Sequence, residues 1–138
     1  MKFSIKVQYG LQAILELALN YEGGDVQIGE IARSQGIPVR FLEQLLLILK
    51  KRGVLASTRG KHGGYSLAKH PSDISLLEVI EAMEGQIELT AKKMKKMPVL
   101  HEALENIQNK FRESLKELSV EDLVIKKRQR DRAYIYNI

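Results

Sequence analysis

The 138-residue chain contains no cysteine. Disulfide frameworks, thiolate nucleophiles, iron-sulfur clusters held on cysteine and cysteine-type zinc sites are therefore all excluded. No apolar run approaches the roughly 18 residues of a membrane span; even Phe41 to Leu49 is interrupted by Glu43 and Gln44. Lys2, Lys6 and Gln8 break up the N-terminal stretch where the apolar core of a secretory leader would lie, so a cytoplasmic protein is expected. Catalytic signatures are missing too. The glycine-rich run near residue 60 lacks the Gly-Lys-Ser/Thr ending of a phosphate-binding loop. His62, His70 and His101 have no nucleophile and orienting acid at motif spacing. No enzyme, cofactor or metal site is expected.

What is present is enough to fold. The chain is 44% hydrophobic and 28% charged, without long blocks of one sign, which argues for a packed core over a disordered chain. Its net charge of +5 is unevenly placed: residues 1–70 hold ten Lys and Arg against five Asp and Glu, whereas residues 71–138 hold twelve of each. A balance of this size also occurs on proteins with no polyanionic partner, so its location is more informative than its magnitude.

Apolar residues at Val7, Leu11, Ile14, Leu15, Ala18 and Leu19 recur in steps of three and four, predicting a helix over 4–21 stopped by Gly23 and Gly24. A shorter helix is expected over 29–34, ended by Gly36. Pro38, at a first-turn position, then opens a strongly helical segment from Val39 to Lys51, closed by Gly53. Two β-prone stretches, 54–58 and 65–68, flank Arg59-Gly60-Lys61-His62-Gly63-Gly64, whose three glycines offer the positive backbone angles of a hairpin tip. Ser75-Leu-Leu-Glu78 has the form of a capping box, opening a short helix that Gly85 stops. Residues 86–97 show no firm periodicity and are read as a loop. Pro98 opens a long helix on which Leu100, Leu104, Ile107, Phe111, Leu115 and Leu118 step by four, three, four, four and three. That narrow stripe suits a seam against another helix, from a second subunit or from the first helix of the same chain. A short helix over 120–127 and a mixed-charge tail complete the chain.

Helix, turn, helix and glycine-rich hairpin follow one another in the order of a winged helix, in which the second helix of the pair enters the major groove and the hairpin tip meets phosphates or the minor groove. On the third helix Arg40, Glu43 and Gln44 form a set able to pair with guanine, cytosine and adenine respectively. Glu43 and Gln44 also suit plain solvated helix positions. Lys50, Lys51, Arg52, Lys61 and Lys69 suit phosphates. Arg59, a long cation at the hairpin tip, projects into solvent unless DNA receives it. His62 is placed as a phosphate neighbour or a bystander.

Tyr9-Gly-Leu, Glu30-Ile-Ala, Gln35-Gly-Ile, Phe41-Leu-Glu-Gln-Leu45, Lys51-Arg-Gly-Val-Leu55 and Arg59-Gly-Lys-His-Gly-Gly-Tyr65 together resemble the Rrf2 family of bacterial regulators. The resemblance is close over residues 1–85 and loose beyond. It implies a mainly α fold with a small β-hairpin wing: a winged helix-turn-helix DNA-binding domain over 1–85, a loop over 86–97, and a dimerisation helix with C-terminal tail over 98–138. It further implies a homodimeric regulator, a repressor, on a palindromic double-stranded DNA operator. Arg40, Glu43 and Gln44 would face bases, Lys51, Lys61 and His62 would lie at the backbone, and Arg59 and Gly60 would make the wing contact. Cluster-binding members carry three cysteines between the short and long helices; residues 88–101 here hold none, and His101 is read as a surface residue. Among cysteine-free members is a cysteine metabolism repressor whose ending is similar to Tyr134-Ile-Tyr-Asn-Ile138. That similarity implies a role in cysteine metabolism and, through Tyr136, Asn137 and Ile138, cysteine synthase (O-acetylserine thiol-lyase) as a partner. The alternative for the same tail is packing on its own dimer. The competing function is a winged-helix module that binds a protein and not DNA, which would be expected to lose Arg59 and Lys61.

Overall fold

In the computed structural model, which describes residues 2–137, the predicted row on the first helix is buried at Val7, Ile14 and Ala18 and half-buried at Leu11, Leu15 and Leu19. The helices are α1 (Ile5–Leu19), α2 (Ile28–Gln35), α3 (Val39–Lys51), α4 (Leu76–Glu84), α5 (Pro98–Glu117) and α6 (Val120–Tyr136), with strands β1 (Leu55–Thr58) and β2 (Gly64–Leu67) between α3 and α4. Ser4 starts α1 by accepting from the Val7 amide at 3.4 Å, and its hydroxyl donates to Glu84 at the far end of α4. These two helices approach closely at Gly10, where an added Cβ would stand 3.3 Å from Met83 Cε.

α2 ends where expected, at Gly36, whose φ of 65° is the left-handed turn that glycine adopts without a steric penalty. Pro38 stands just outside α3 as its cap, one position earlier than the first-turn reading. α1, α2 and α3 then close around Ile14, Leu17, Ile31, Leu42, Leu45, Leu46 and Leu49, all nearly or fully inaccessible. A polar buckle steadies the α1–α2 contact: Gln35 donates to Glu16 at 2.8 Å, and Gln12 donates to the Gln35 carbonyl at 3.4 Å.

The hairpin is antiparallel, with Leu55 opposite Leu67 and Thr58 opposite Gly64. Leu55 and Leu67 point into the core, which fixes the register, since a one-residue slip would turn both outward. At α4, half of the expected capping box forms. Ser75 accepts from the Glu78 amide at 3.0 Å, but the Glu78 carboxylate takes Lys69 Nζ at 2.7 Å. A full positive charge outcompetes a backbone amide for the same oxygen.

Two further expectations are corrected. The stretch over 86–97 contains a five-residue 3-10 turn, Lys92–Lys96. The last helix does not stop at residue 127: α6 runs unbroken to Tyr136, so residues 128–136, expected to belong to the tail, are helical. Its N-terminus carries a complete capping box between Ser119 and Asp122, Lys127 pairs with Asp131 one turn on at 2.9 Å, and no glycine or proline interrupts 120–136.

The long stripe on α5 divides. Leu115 and Leu118 pack against the core, and Phe111 stacks on Phe3 with ring centroids 6.4 Å apart. Leu100 and Ile107 remain 53% and 54% exposed, and among the described residues none of α5 is buried. α6 returns to α1 through the buried Val120 and Val124, and from Ile125 to Asn137 every residue is exposed. Among the described residues, no helix is long and apolar enough to cross a membrane.

Candidate nucleic-acid interface

Burying Leu42, Leu45, Leu46 and Leu49 forces the opposite side of α3 outward. At 3.6 residues per turn that side carries Arg40, Glu43, Gln44, Leu47 and Lys51, all exposed. The sequence reading thus places Arg40, Glu43, Gln44 and Lys51 on one face, as expected. It assigns Leu47 to neither the core nor the reading set, because a leucine carries no hydrogen-bonding group that residue type would single out. The step from Gln44 to Leu47 was the available signal, since the buried row already follows its own spacing through 42, 45, 46 and 49.

The N-terminus of α3 is held by an edge-on contact of Phe41 with Tyr9 of α1, centroids 5.6 Å apart. No side chain caps this end. Its first backbone amides are therefore available to an anion, with the positive end of the helix dipole behind them.

The hairpin tip is positioned by backbone. Val26, just ahead of α2, exchanges two hydrogen bonds with Tyr65: its amide donates to the Tyr65 carbonyl at 2.9 Å, and the Tyr65 amide donates back at 2.8 Å. Gln27 donates to the Lys61 carbonyl at 3.1 Å, and Thr58 donates to Asp25. The three tip glycines have different reasons. Only Gly60 has a positive φ, 106°. Gly63 and Gly64 correct the expectation that all three supply such angles: they are needed for space, since an added Cβ would lie 2.3 Å from the Thr58 carbonyl oxygen at one and 2.4 Å from the Val26 carbonyl oxygen at the other.

Around this scaffold Arg59, Gly60, Lys61 and His62 are all exposed. The salt bridges among the described residues engage none of Arg40, Glu43, Lys51, Arg59 or Lys61. Lys69, read from sequence as a phosphate contact, is instead committed to Glu78. Of the C-terminal set, Tyr136 is 88% exposed in the last turn of α6 and Asn137 caps that helix, while Ile138 lies outside the described residues.

His70 and His101, which the sequence left without motif partners, have local contacts in the fold. His70 Nδ1 lies 2.7 Å from Ser72 Oγ, but the pair is a local turn cap, with the Ser72 amide also donating to that nitrogen at 3.1 Å. His101 meets only Glu105, at 3.6 Å. Among the described residues no three His, Asp or Glu converge.

One ion pair that the sequence did not reveal holds α5 on α4. Arg112 donates twice to Glu81, at 2.8 and 3.2 Å, and the Ile87 amide adds a third bond to the same carboxylate at 2.8 Å. The hydrogen-bonded guanidinium, more than the opposing effect of burial, holds the Glu81 carboxyl below its ordinary pKa of 4.5. Thirty-one residues separate the partners; only the docking of the two helices brings them together.

A family model described as Rrf2, an iron-dependent transcriptional regulator, matches residues 3–126. An rrf2-like HTH-type transcriptional regulator of Rhodobacter capsulatus is 48% identical over 85 residues, 59% of this chain and 57% of that protein. The chain thus spans little more than half the length of that curated relative. Among solved structures, T. potens IscR superposes with a TM-score of 0.75 at 32% identity, covering 92% of this chain and 88% of that one. CymR, the global cysteine regulator of B. subtilis, superposes with a TM-score of 0.77 at 28% identity, covering 91% and 98%. The iron in the family description finds no fitting donor set here: the sequence has no thiolate to offer, and His101 with Glu105 is a pair only.

Proposed function

This chain belongs to the Rrf2 family of transcriptional regulators, and from that premise we propose that it acts as a homodimeric, sequence-specific repressor on a palindromic operator. Its relatives are regulators and not enzymes. The observation that carries the reading is the pairing of an outward α3 face with a cationic tip whose root is hydrogen-bonded to the start of α2. In the proposed complex α3 lies in the major groove. Glu43, Gln44 and Arg40 read base edges, Arg59 and Gly60 enter the adjacent minor groove, and Lys51, Lys61 and His62 lie against the backbone. Residues 1–85 serve as the DNA-binding part, 86–97 as a connecting loop and 98–138 as the dimerising part, with the exposed Leu100 and Ile107 covered by a second copy. Two-fold symmetry then sets half-sites about 34 Å apart along the duplex.

A place in cysteine or sulfur metabolism rests on the likeness to CymR alone. Cysteine synthase is not carried into the proposal. Of the residues on which it rested, Tyr136 ends α6 and Asn137 caps it, Ile138 lies outside the described residues, and no observation supports that partner. The protein-only reading is disfavoured by the exposed Arg59 and Lys61 at the tip.

The test is selection of binding sites from a randomised duplex library, followed by titration at several salt concentrations. Specific binding should weaken steeply with salt as counterions are released. Arg59→Ala should lower affinity for every duplex. Glu43→Ala and Gln44→Ala should change which bases are selected, by about 1 to 3 kcal/mol per contact. Unchanged base preference in both variants would remove the reading roles from α3; failure to select any duplex would remove the DNA reading itself.

A further inference from the structure

The outward face of α3 has one apolar side chain at its centre. Leu47 is 47% exposed. It follows Glu43 and Gln44 by four and three residues, precedes Lys51 by four, and lies two turns beyond Arg40, so exposed polar side chains surround it. At about 100° per residue it points roughly 150° away from the middle of the buried row. It therefore contributes nothing to the core that Leu42, Leu45, Leu46 and Leu49 already fill.

Isolated exposed leucines are ordinary on protein surfaces. What distinguishes this one is its neighbours: every other side chain on this face carries hydrogen-bonding groups suited to base edges or phosphates. A leucine can neither donate nor accept. It gains on association only by covering apolar surface, and the apolar group that distinguishes bases in the major groove is the thymine C5-methyl. Building on the DNA-binding reading, we propose that Leu47 is a specificity-determining residue that selects thymine in each half-site by packing on its methyl group. One helical turn, about 5 Å, separates Leu47 from Glu43 and Gln44, which puts that thymine one or two base pairs from those they read.

The experiment uses the full chain and the operator selected by the wild-type protein. Each thymine is replaced in turn by deoxyuridine, which deletes the methyl and leaves every Watson–Crick and major-groove hydrogen-bonding group in place. Wild-type protein should lose about fourfold in affinity at one thymine per half-site, the size of one buried carbon group. Leu47→Ala should bind the thymine and uracil operators equally, and Leu47→Met should retain the discrimination. Because the side chain is exposed, both variants should melt with the wild type. Should every thymine tolerate the exchange in the wild type, or should Leu47→Ala show the same loss at the same position, the assignment is overturned while DNA binding stands. If no duplex is selected at all, both fall together.

Discussion

The two ends of this molecule are held together by different means. From α1 to α4 the helices and hairpin bury a continuous set of side chains, with Val7, Leu42, Leu46, Leu49, Val54 and Ile74 wholly inaccessible. α5 buries no residue fully and is held mainly by Leu115, Phe111 and the Arg112 clasp, and beyond Val124 the last helix touches solvent on all sides. A helix this uncovered draws little from tertiary packing, which normally supplies most helical stability. The contrast teaches that the first region holds its shape through its own core, whereas the second leaves an apolar seam open, the seam that the proposed dimer would cover.

The severest way to break that contrast is to charge the open seam. Ile107→Glu should convert the proposed dimer into monomers in sedimentation equilibrium. Each copy forfeits about 1.5 to 3 kcal/mol of apolar burial, and the two-fold doubles it. The monomer's own melting should scarcely change, since Ile107 is 54% exposed there. A variant that stayed dimeric would move the interface elsewhere.

Leu46→Ala does the converse. It leaves the seam intact and empties a fully enclosed position, with an expected loss of about 2 to 5 kcal/mol in denaturant unfolding. If instead Leu46→Ala and Ile107→Glu perturbed both observables equally, the two regions would be one cooperative unit.

The smallest effect sharpens the boundary between them. Glu81→Gln weakens the clasp that seats α5 on α4, and because solvent screens this pair the loss in denaturant unfolding should be the smallest of the three. The pH dependence has a definite sign. Native Glu81 resists protonation relative to the unfolded chain, so its contribution is complete above pH 4.5 and drains away as the pH falls from there through the lower native value. Below that value the difference in stability between wild type and variant should shrink. A difference that was flat from pH 7 to pH 3 would show that the ion pair does not act as described.

The legibility of the sequence follows the same division. α1 to α4 could be read because burial writes a local period: Val7, Ile14 and Ala18, or Leu42, Leu45, Leu46 and Leu49, carry it within a few turns, and Gly36 and Gly85 mark the stops. α6 was cut short because residues 127–136 have no apolar stripe to extend; its helix rests on a cap, an ion pair and the lack of a breaker, none of which gives a period. The Glu81–Arg112 clasp was invisible because it depends on the angle at which two helices dock. In the candidate interface, residue type located Arg40, Glu43, Gln44 and Arg59 on outward positions, while Leu47 received no assignment because a leucine offers no group that marks a nucleic-acid contact.

The two hydrogen bonds between Val26 and Tyr65 make the approach to α2 a short third rib of the hairpin. Tip and helix pair are thereby tied to one another, and in the proposed complex their spacing would act as the fixed jaw of a caliper. Such a gauge responds to the width and twist of whatever lies within it. Duplexes with the right bases in the wrong shape would then be turned away by geometry alone, at positions no side chain touches.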